Sequence, residues 1–215
     1  MTDREHFIRT HTAVDSPPGC PELRLYLASE ITPLWLATES TLKAVNLPPP
    51  FWAFCWVGGQ AVARHILDHP DIVRGRRVLD FAAGGGVAAI AAARAGAALV
   101  EAVDVDPFAA AAARLNAALN DAAVTVLCED LVDGPRCDWD VVVAGDICYE
   151  RPMAERVFAW LRRLAAGGAF VLMGDPGRNY LPSGGLERLA SYEVPTSREL
   201  EDRDMREAVV YRVLG

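Results

Sequence analysis

Hydrophobic and polar positions change their pattern near residue 75. From Arg76 onward, short runs of β-branched and other apolar residues alternate with helical segments of about a dozen residues. This alternation is typical of a parallel sheet whose strands are joined by crossover helices. It predicts strands at 77–82, 99–105, 124–128, 140–145 and 169–173, and helices at 87–95, 107–119 and 152–164.

Both ends of the chain depart from this alternation. Residues 208–214 predict a terminal strand that has no room for a crossover helix before it, so an antiparallel hairpin is expected to close the sheet. Residues 187–193 fit either a weak helix or a strand. Before residue 75, helical stretches are expected around 21–30 and 58–68, which indicates an N-terminal extension or lid.

Composition and charge narrow the class of protein. The 215 residues are 52% hydrophobic and 23% charged, which is typical of a globular chain with a large core. The net charge of −8 argues against binding nucleic acid mainly through phosphate neutralisation. No apolar stretch is long enough to cross a bilayer, and the charged N-terminus lacks the pattern of a signal peptide, so we expect a cytoplasmic location.

A glycine-rich turn follows the strand at 77–82. Asp80 lies near the end of the strand, and Gly84, Gly85 and Gly86 precede an alanine-rich helix. Glycines permit a tight, partly left-handed turn and remove the Cβ atoms that would keep a ligand from the backbone. The helix N-terminus adds unpaired N–H groups. The turn predicts a site for a flat, polar ligand, although a purely structural turn would look the same.

An acidic residue at the end of the next strand points to a nucleoside cofactor. Asp104 lies 20 residues after Gly84, the spacing of carboxylates that accept hydrogen bonds from ribose hydroxyl groups. Asp106 is better explained as the cap of the helix that begins at Pro107. The glycine spacing differs from the G-x-G-x-x-G of dinucleotide sites, and Asp80 would repel a pyrophosphate but attract an ammonium group. These features favour S-adenosylmethionine over NAD.

Four motifs together resemble the class I, seven-stranded S-adenosylmethionine-dependent methyltransferases. They are Asp80-x-Ala82-x-Gly84-x-Gly86, Asp104, Glu129-Asp130 and the segment from Gly145 to Glu150. Within that class, residues 51–61, 71–80 and 174–178 look like the electron transfer flavoprotein β-subunit lysine methyltransferases. The resemblance implies an α/β, Rossmann-like sheet that is mostly parallel, with an antiparallel C-terminal strand and helices on both faces. We expect one structural domain, with 1–70 as a helical extension or lid and 71–215 as the methyltransferase domain.

The resemblance also implies roles in the cofactor site. Trp56 would flank the cofactor, residues 82–86 would surround its aminocarboxypropyl chain, and Asp104 would bind the ribose. Asp130 would face the adenine amine and Trp139 would border the adenine pocket. A core position for either tryptophan, or a solvent-facing turn for Asp130, is the alternative. Ala82 stands where the family usually has glycine, which predicts weaker or adjusted cofactor binding.

The segment after the fourth predicted strand is the candidate catalytic segment. Asp146 and Tyr149 would hold a lysine ammonium by charge and cation–π attraction and align the amine after it loses its proton. We assign both residues to orientation, and the general base stays unassigned. Glu150 and Arg178 are candidate substrate-binding residues, although Asp175-Pro-Gly-Arg178 also fits an ordinary turn.

The expected function is methyl transfer to a protein. The resemblance implies a monomeric or weakly associating enzyme that transfers methyl groups from S-adenosylmethionine to lysines of the electron transfer flavoprotein β subunit and releases S-adenosylhomocysteine, without a metal. Charge and composition argue against nucleic acid or a membrane as partner. The alternatives are a small-molecule amine or pyridine nitrogen as acceptor, or another protein such as a ribosomal protein. A cofactor-binding module without catalysis and a dehydrogenase are further alternatives; the glycine spacing disfavours the dehydrogenase.

Overall fold

The chain forms a seven-stranded sheet with helices on both faces and a small two-stranded sheet near the N-terminus. The computed structural model describes residues 3–28, 49–134, 138–196 and 201–215. The strands are β1 Ala13–Asp15, β2 Leu25–Leu27, β3 Arg77–Phe81, β4 Leu99–Asp104, β5 Thr125–Cys128, β6 Val141–Gly145, β7 Phe170–Asp175, β8 Leu186–Pro195 and β9 Met205–Val213. The helices are α1 Asp3–His11, α2 Val57–Asp68, α3 Val87–Arg94, α4 Pro107–Leu119 and α5 Arg151–Ala166, with 3₁₀ turns at Phe51–Ala53 and Pro70–Ile72. The predicted strands and helices between residues 77 and 175 are confirmed to within two residues.

The large sheet has the expected mixed architecture. Its strand order is β5-β4-β3-β6-β7-β9-β8. The strands β3 to β7 pair in parallel, and β9 pairs antiparallel with both β7 and β8. The C-terminal hairpin is therefore confirmed, and the undecided residues 187–193 lie in strand β8 because all of them except Leu189, where the register shifts, pair with β9.

The order of the strands reverses between β3 and β6. The chain runs outward from β3 through β4 to β5, then returns to the other side of β3 as β6. Phe81 of β3 pairs with Val103 of β4 and with Ala144 of β6, so the carboxyl ends of these three strands lie level. Open α/β sheets bind ligands at such a reversal, outside the carboxyl ends of the strands.

Apolar side chains fill both faces of the sheet. Helices α2 and α3 cover one face in a cluster that includes Ile66, Ile90 and Val143. Helix α5 covers the other, with Trp160 and Leu161 packed against the strands. Helix α2 comes from the region before residue 70 yet packs on β6, β7 and β9; the division of the chain near residue 70 stays a prediction. Among the described residues, no helix is long and apolar enough to cross a membrane.

The described part of the segment predicted as a helix around 21–30 is a turn followed by extended chain. Residues 25–27 form β2, which pairs antiparallel with β1, so the helix predicted around 21–30 is wrong. The Asn116 side chain of α4 supplies the reason, because its Oδ1 accepts a hydrogen bond from the backbone N–H of Tyr26 at 2.7 Å. This contact across 90 residues holds the backbone extended and buries Tyr26 against α4, which no local pattern encodes.

Candidate active site

A cavity opens at the carboxyl ends of β3 and β6, beside the reversal of strand order. Residues singled out from the sequence line it, among them Trp56, Asp80, Ala82, Gly84 and Asp146. Apolar walls come from Leu25, Leu27, Trp52 and Phe54, which precede the large sheet in the chain. The N-terminal region therefore supplies one side of the site, and the sheet supplies the other.

The glycine turn curls back on itself through left-handed backbone conformations. Ala82, Gly84 and Gly86 have φ angles of 53°, 52° and 80°. A Cβ added at Gly84 would meet no atom within 4 Å, so the space over this residue is open to a ligand. At Ala82 the left-handed conformation costs about 1 kcal/mol, because a Cβ crowds the backbone there. This cost is the physical reason for a glycine preference at position 82.

Asp80 is a buried acid on the cavity wall. Its side chain is 3% exposed, and its Oδ2 accepts a hydrogen bond from the N–H of Ala89 in the first turn of α3 at 2.8 Å. Burial raises the pKa of Asp80 to about 7, although the bond from Ala89 opposes the shift. A cationic ligand group beside Asp80 would offset the cost of burying the charged carboxylate. The residue therefore fits an ammonium partner, as the sequence predicts.

We expect Asp80→Asn to weaken cofactor binding and stabilise the empty protein. Because the carboxyl pKa is higher in the folded state than in the unfolded state, protonation of Asp80 stabilises the folded protein. This stabilisation is complete below the unfolded pKa of about 3.9 and is lost as pH rises through about 7. At pH 8 the variant should therefore be more stable by up to about 4 kcal/mol. It should bind S-adenosylhomocysteine about 10- to 100-fold more weakly.

Calorimetric titration and thermal melts at pH 8 and pH 5 check this prediction. Asp71→Asn is the matched control, because Asp71 has an 88% exposed side chain and pairs only with Arg74 among the described ion pairs. Unchanged affinity of Asp80→Asn would contradict the assignment of Asp80 to the cofactor's ammonium group.

Asp104 and Asp106 accept different backbone hydrogen bonds at the end of β4. Asp104 accepts hydrogen bonds from the N–H of Gly84 at 2.9 Å and from the N–H of Asp106 at 2.9 Å. It thus ties the glycine turn to β4, and burial raises its pKa. Asp106 accepts a hydrogen bond from the N–H of Phe108 at 2.8 Å and caps α4, as predicted.

Two predicted cofactor residues have other partners. Asp130 accepts a hydrogen bond from Arg156 at 2.8 Å, which lowers the pKa of its half-exposed carboxyl. Trp139 is buried in the core cluster on the α5 face, and its Nε1 donates to Glu101 at 2.6 Å. Neither residue lines the cavity. The core position of Trp139 is an alternative that the sequence left open, whereas the ion pair of Asp130 with Arg156 was not predicted.

Asp146 lies where β6 meets the N-terminus of α2. Its Oδ2 accepts the N–H of Gly59 at 3.0 Å, and its Oδ1 accepts Nε and Nη2 of Arg178 at 3.1 and 2.7 Å. Burial raises the pKa of Asp146 to about 6, and Arg178 opposes that shift. The residue has a φ of 54°, a conformation that aspartate and asparagine tolerate better than most side chains.

Close contact between glycines makes this arrangement possible. A Cβ at Gly58 would overlap the carbonyl oxygen of Gly174 and lie 2.6 Å from Oδ2 of Asp146. A Cβ at Gly145 would lie 2.6 Å from the Cα of Gly59. The first turn of α2 therefore rests on the ends of β6 and β7 with no side chain between them, which brings its N–H groups to Asp146.

Aromatic rings form the outer rim of the site. Tyr149 is 47% exposed, and its ring centroid lies 5.7 Å from that of Phe51, which is itself 49% exposed. The Phe51 ring lies edge-on to Trp56 at 6.1 Å, and Trp56 Nε1 donates to the carbonyl of Phe51 at 2.9 Å. Glu150 is exposed at the start of α5. The ring of Phe51, which was not predicted as a site residue, therefore contacts both the predicted catalytic Tyr149 and Trp56.

Glu201 and Gly58 are further parts of the site that no predicted motif includes as site residues. Glu201 is buried and paired with Arg178, but its neighbours in the chain carry no motif. Gly58 and Gly59 do have a signal, since two glycines in the first turn of an apolar helix lower helix propensity and call for a packing reason.

Comparison with known proteins places this geometry among methyltransferases. The sequence profile of the ribosomal protein L11 methyltransferase (PrmA) family matches residues 65–174. The electron transfer flavoprotein β-subunit lysine methyltransferase of Xenopus laevis is 38% identical over 95% of this chain and 85% of its own length. The protein of the same name from Danio rerio is 36% identical over 98% of this chain and 83% of its own.

Solved structures share the fold. Magnesium protoporphyrin IX methyltransferase of Synechocystis PCC 6803, with bound S-adenosylmethionine, superposes with a TM-score of 0.54 at 18% identity. The match covers 74% of this chain and 81% of that one. At this identity the likeness concerns the fold alone, and it confirms the expected architecture.

Proposed function

This chain belongs to the family of the electron transfer flavoprotein β-subunit lysine methyltransferases, and we propose that it methylates lysine side chains of that β subunit with S-adenosylmethionine as methyl donor. The relatives that carry this name match nearly the whole chain. The observation that carries the proposal is the placement of Asp80 and Asp146 in one cavity, at the carboxyl ends of two neighbouring strands, with an aromatic rim beside them. Family membership sets aside the dehydrogenase and the non-catalytic module.

The cavity and its surroundings fit S-adenosylmethionine in four respects. Asp80 offers a buried carboxylate to the α-ammonium group, and the turn at 82–86 leaves the space over Gly84 free for the aminocarboxypropyl chain. Asp104 accepts the N–H of Gly84, which lines the cavity, and we assign its carboxylate to a ribose hydroxyl; Trp56 supplies an aromatic wall. When bound, the cofactor supplies an activated methyl group on a sulfonium. The roles of Asp130 and Trp139 at the adenine stay predictions, since neither lines the cavity.

Asp146 and Tyr149 would receive the lysine amine. Asp146 contributes negative charge at the carboxyl end of β6, and the rings of Tyr149 and Phe51 offer faces that attract a cation. A lysine ammonium has a reference pKa of about 10.4 and must lose its proton before it reacts. The apolar rim favours that loss by desolvation, whereas Asp146 opposes it. We therefore assign both residues to alignment of the amine and leave the general base unassigned.

Radiolabelled S-adenosylmethionine tests the proposal directly. The purified protein is incubated with purified electron transfer flavoprotein and, separately, with a cell extract, and labelled bands are identified by mass spectrometry. We expect label on lysines of the β subunit. Self-labelling on lysine could occur only at Lys43, the single lysine of this chain, which lies outside the described residues.

The other outcomes separate the alternatives. Label on a different protein, such as a ribosomal protein, would keep the chemistry and change the substrate. Turnover of free amines or pyridines without protein labelling would contradict the proposed protein substrate. A monomeric state and a cytoplasmic location are part of the same proposal, and size-exclusion chromatography with light scattering and cell fractionation test them.

A further inference from the structure

Arg178 lies between two buried carboxylates that come from distant parts of the chain. Its Nε and Nη2 donate to Oδ1 of Asp146, and its Nη1 and Nη2 donate to Glu201 at 3.0 and 2.5 Å. The side chains of Arg178, Asp146 and Glu201 are 17%, 9% and 2% exposed. The guanidinium carbon also lies 5.6 Å from the centroid of the Trp56 ring. The guanidinium of Arg178 therefore contacts Asp146 of the candidate amine site, the Trp56 ring and Glu201, which come from three different segments of the chain.

Glu201 belongs to the segment that connects the two C-terminal strands. It lies between β8 and β9, and a second cation, Arg206 of β9, stands 3.7 Å from its Oε2. Arg206 Nη2 also donates to the carbonyl of Pro176, in the loop that carries Arg178. The β8–β9 hairpin therefore contacts the loop after β7 at two points, from Glu201 to Arg178 and from Arg206 to Pro176. Strand pairing and apolar burial already hold β8 and β9, so the fold does not require a buried carboxylate here.

We propose that Glu201 is a positioning residue for the amine site, acting through Arg178. Glu201 takes both Nη atoms of the guanidinium, so Arg178 approaches Asp146 from one side and reaches only Oδ1. The N–H of Gly59 holds the other oxygen. Asp146 is thereby oriented by donors on two sides. Arg178 bonds only one of its oxygens, so the pair is not the bidentate pair that would neutralise the carboxylate most fully. This inference rests on the proposed function, since it presupposes that Asp146 meets the substrate amine.

Removal of the Glu201 charge should release Arg178. The planar fork can then turn so that its donors reach both oxygens of Asp146 instead of Oδ1 alone, which neutralises the carboxylate more fully. This movement weakens the negative charge that aligns the amine. Cofactor residues Asp80 and Gly84 have no contact with Glu201 among the bonds described above, so cofactor affinity should not change.

Glu201→Gln tests the inference with flavoprotein β subunit as acceptor. It keeps the size of the side chain and one acceptor oxygen. We expect kcat to fall about 10- to 100-fold, as for a misaligned reacting group, with the dissociation constant of S-adenosylhomocysteine unchanged. Arg178→Lys should show a similar loss, and the double variant should be no slower than Arg178→Lys alone, because Glu201 acts through Arg178.

Glu207→Gln is the matched control on the same hairpin. Glu207 is exposed and pairs with Arg188 and Ser191, away from the cavity, so its replacement should leave kcat unchanged. An unchanged kcat for Glu201→Gln, or losses that multiply in the double variant, would overturn the inference while wild-type activity upholds the proposed function. Equal losses of kcat and cofactor affinity would show a structural role and overturn it as well. A wild-type protein that methylates no protein lysine would refute the proposed function and this inference with it.

Discussion

Asp146→Asn should abolish methyl transfer, with a fall in kcat of about 10³-fold or more, while S-adenosylhomocysteine binding changes little. Asparagine tolerates the left-handed backbone at this position, where φ is 54°, so the local chain path should persist. The amide can accept from either Gly59 or Arg178 but must then present its NH₂ group to the other donor. The variant therefore loses both the charge and the orientation of the group that receives the amine.

Steady-state rates on the flavoprotein β subunit and calorimetric binding of S-adenosylhomocysteine measure this effect. Some loss of stability is expected, since a buried donor loses its acceptor at a cost of about 1 to 3 kcal/mol. Glu155→Gln serves as the surface control, because Glu155 is 72% exposed and only loosely paired with Arg151 at 3.6 Å. Turnover of Asp146→Asn close to that of the control would remove Asp146 from the proposed amine site.

Gly58→Ala should destabilise the protein by about 3 kcal/mol or more and impair catalysis. The new methyl group would overlap the Gly174 carbonyl oxygen and lie 2.6 Å from Oδ2 of Asp146, and neither neighbour is a flexible side-chain end that can move aside. The first turn of α2 must therefore lift off the sheet, which withdraws the Gly59 N–H from Asp146. For a chain of this size, the melting temperature should fall by about 6 to 12 °C.

The adjacent glycine is the control for this prediction. A Cβ at Gly59 meets only Cγ1 of Val87 within 4 Å, at an ordinary contact distance of 3.5 Å. Gly59→Ala should therefore keep the stability of the wild type, or gain up to about 1 kcal/mol from better helix propensity. Thermal melts of the two single variants make the comparison. Equal melting temperatures would show that the contact between α2 and the strand ends is looser than the structure indicates.

Local and periodic features of this protein were readable from the sequence. The strands and helices between residues 77 and 175 follow from the alternation of apolar runs, because burial on both faces of a parallel sheet demands it. Asp80, the glycine turn and Asp104 could be placed together because the carboxyl ends of neighbouring parallel strands meet at one edge. The cap at Asp106 follows from a single turn of helix.

Partners of charged side chains depended on the assembled fold. Asp146, Arg178 and Glu201 are separated along the chain by 32 and 23 residues, and no periodicity connects loops that far apart. The same reason explains why Asp130 pairs with Arg156, why Trp139 donates to Glu101, and why Asn116 holds Tyr26 in a strand. Periodic burial sets which elements form, whereas long-range hydrogen bonds and steric fit between loops set which side chains meet in the site.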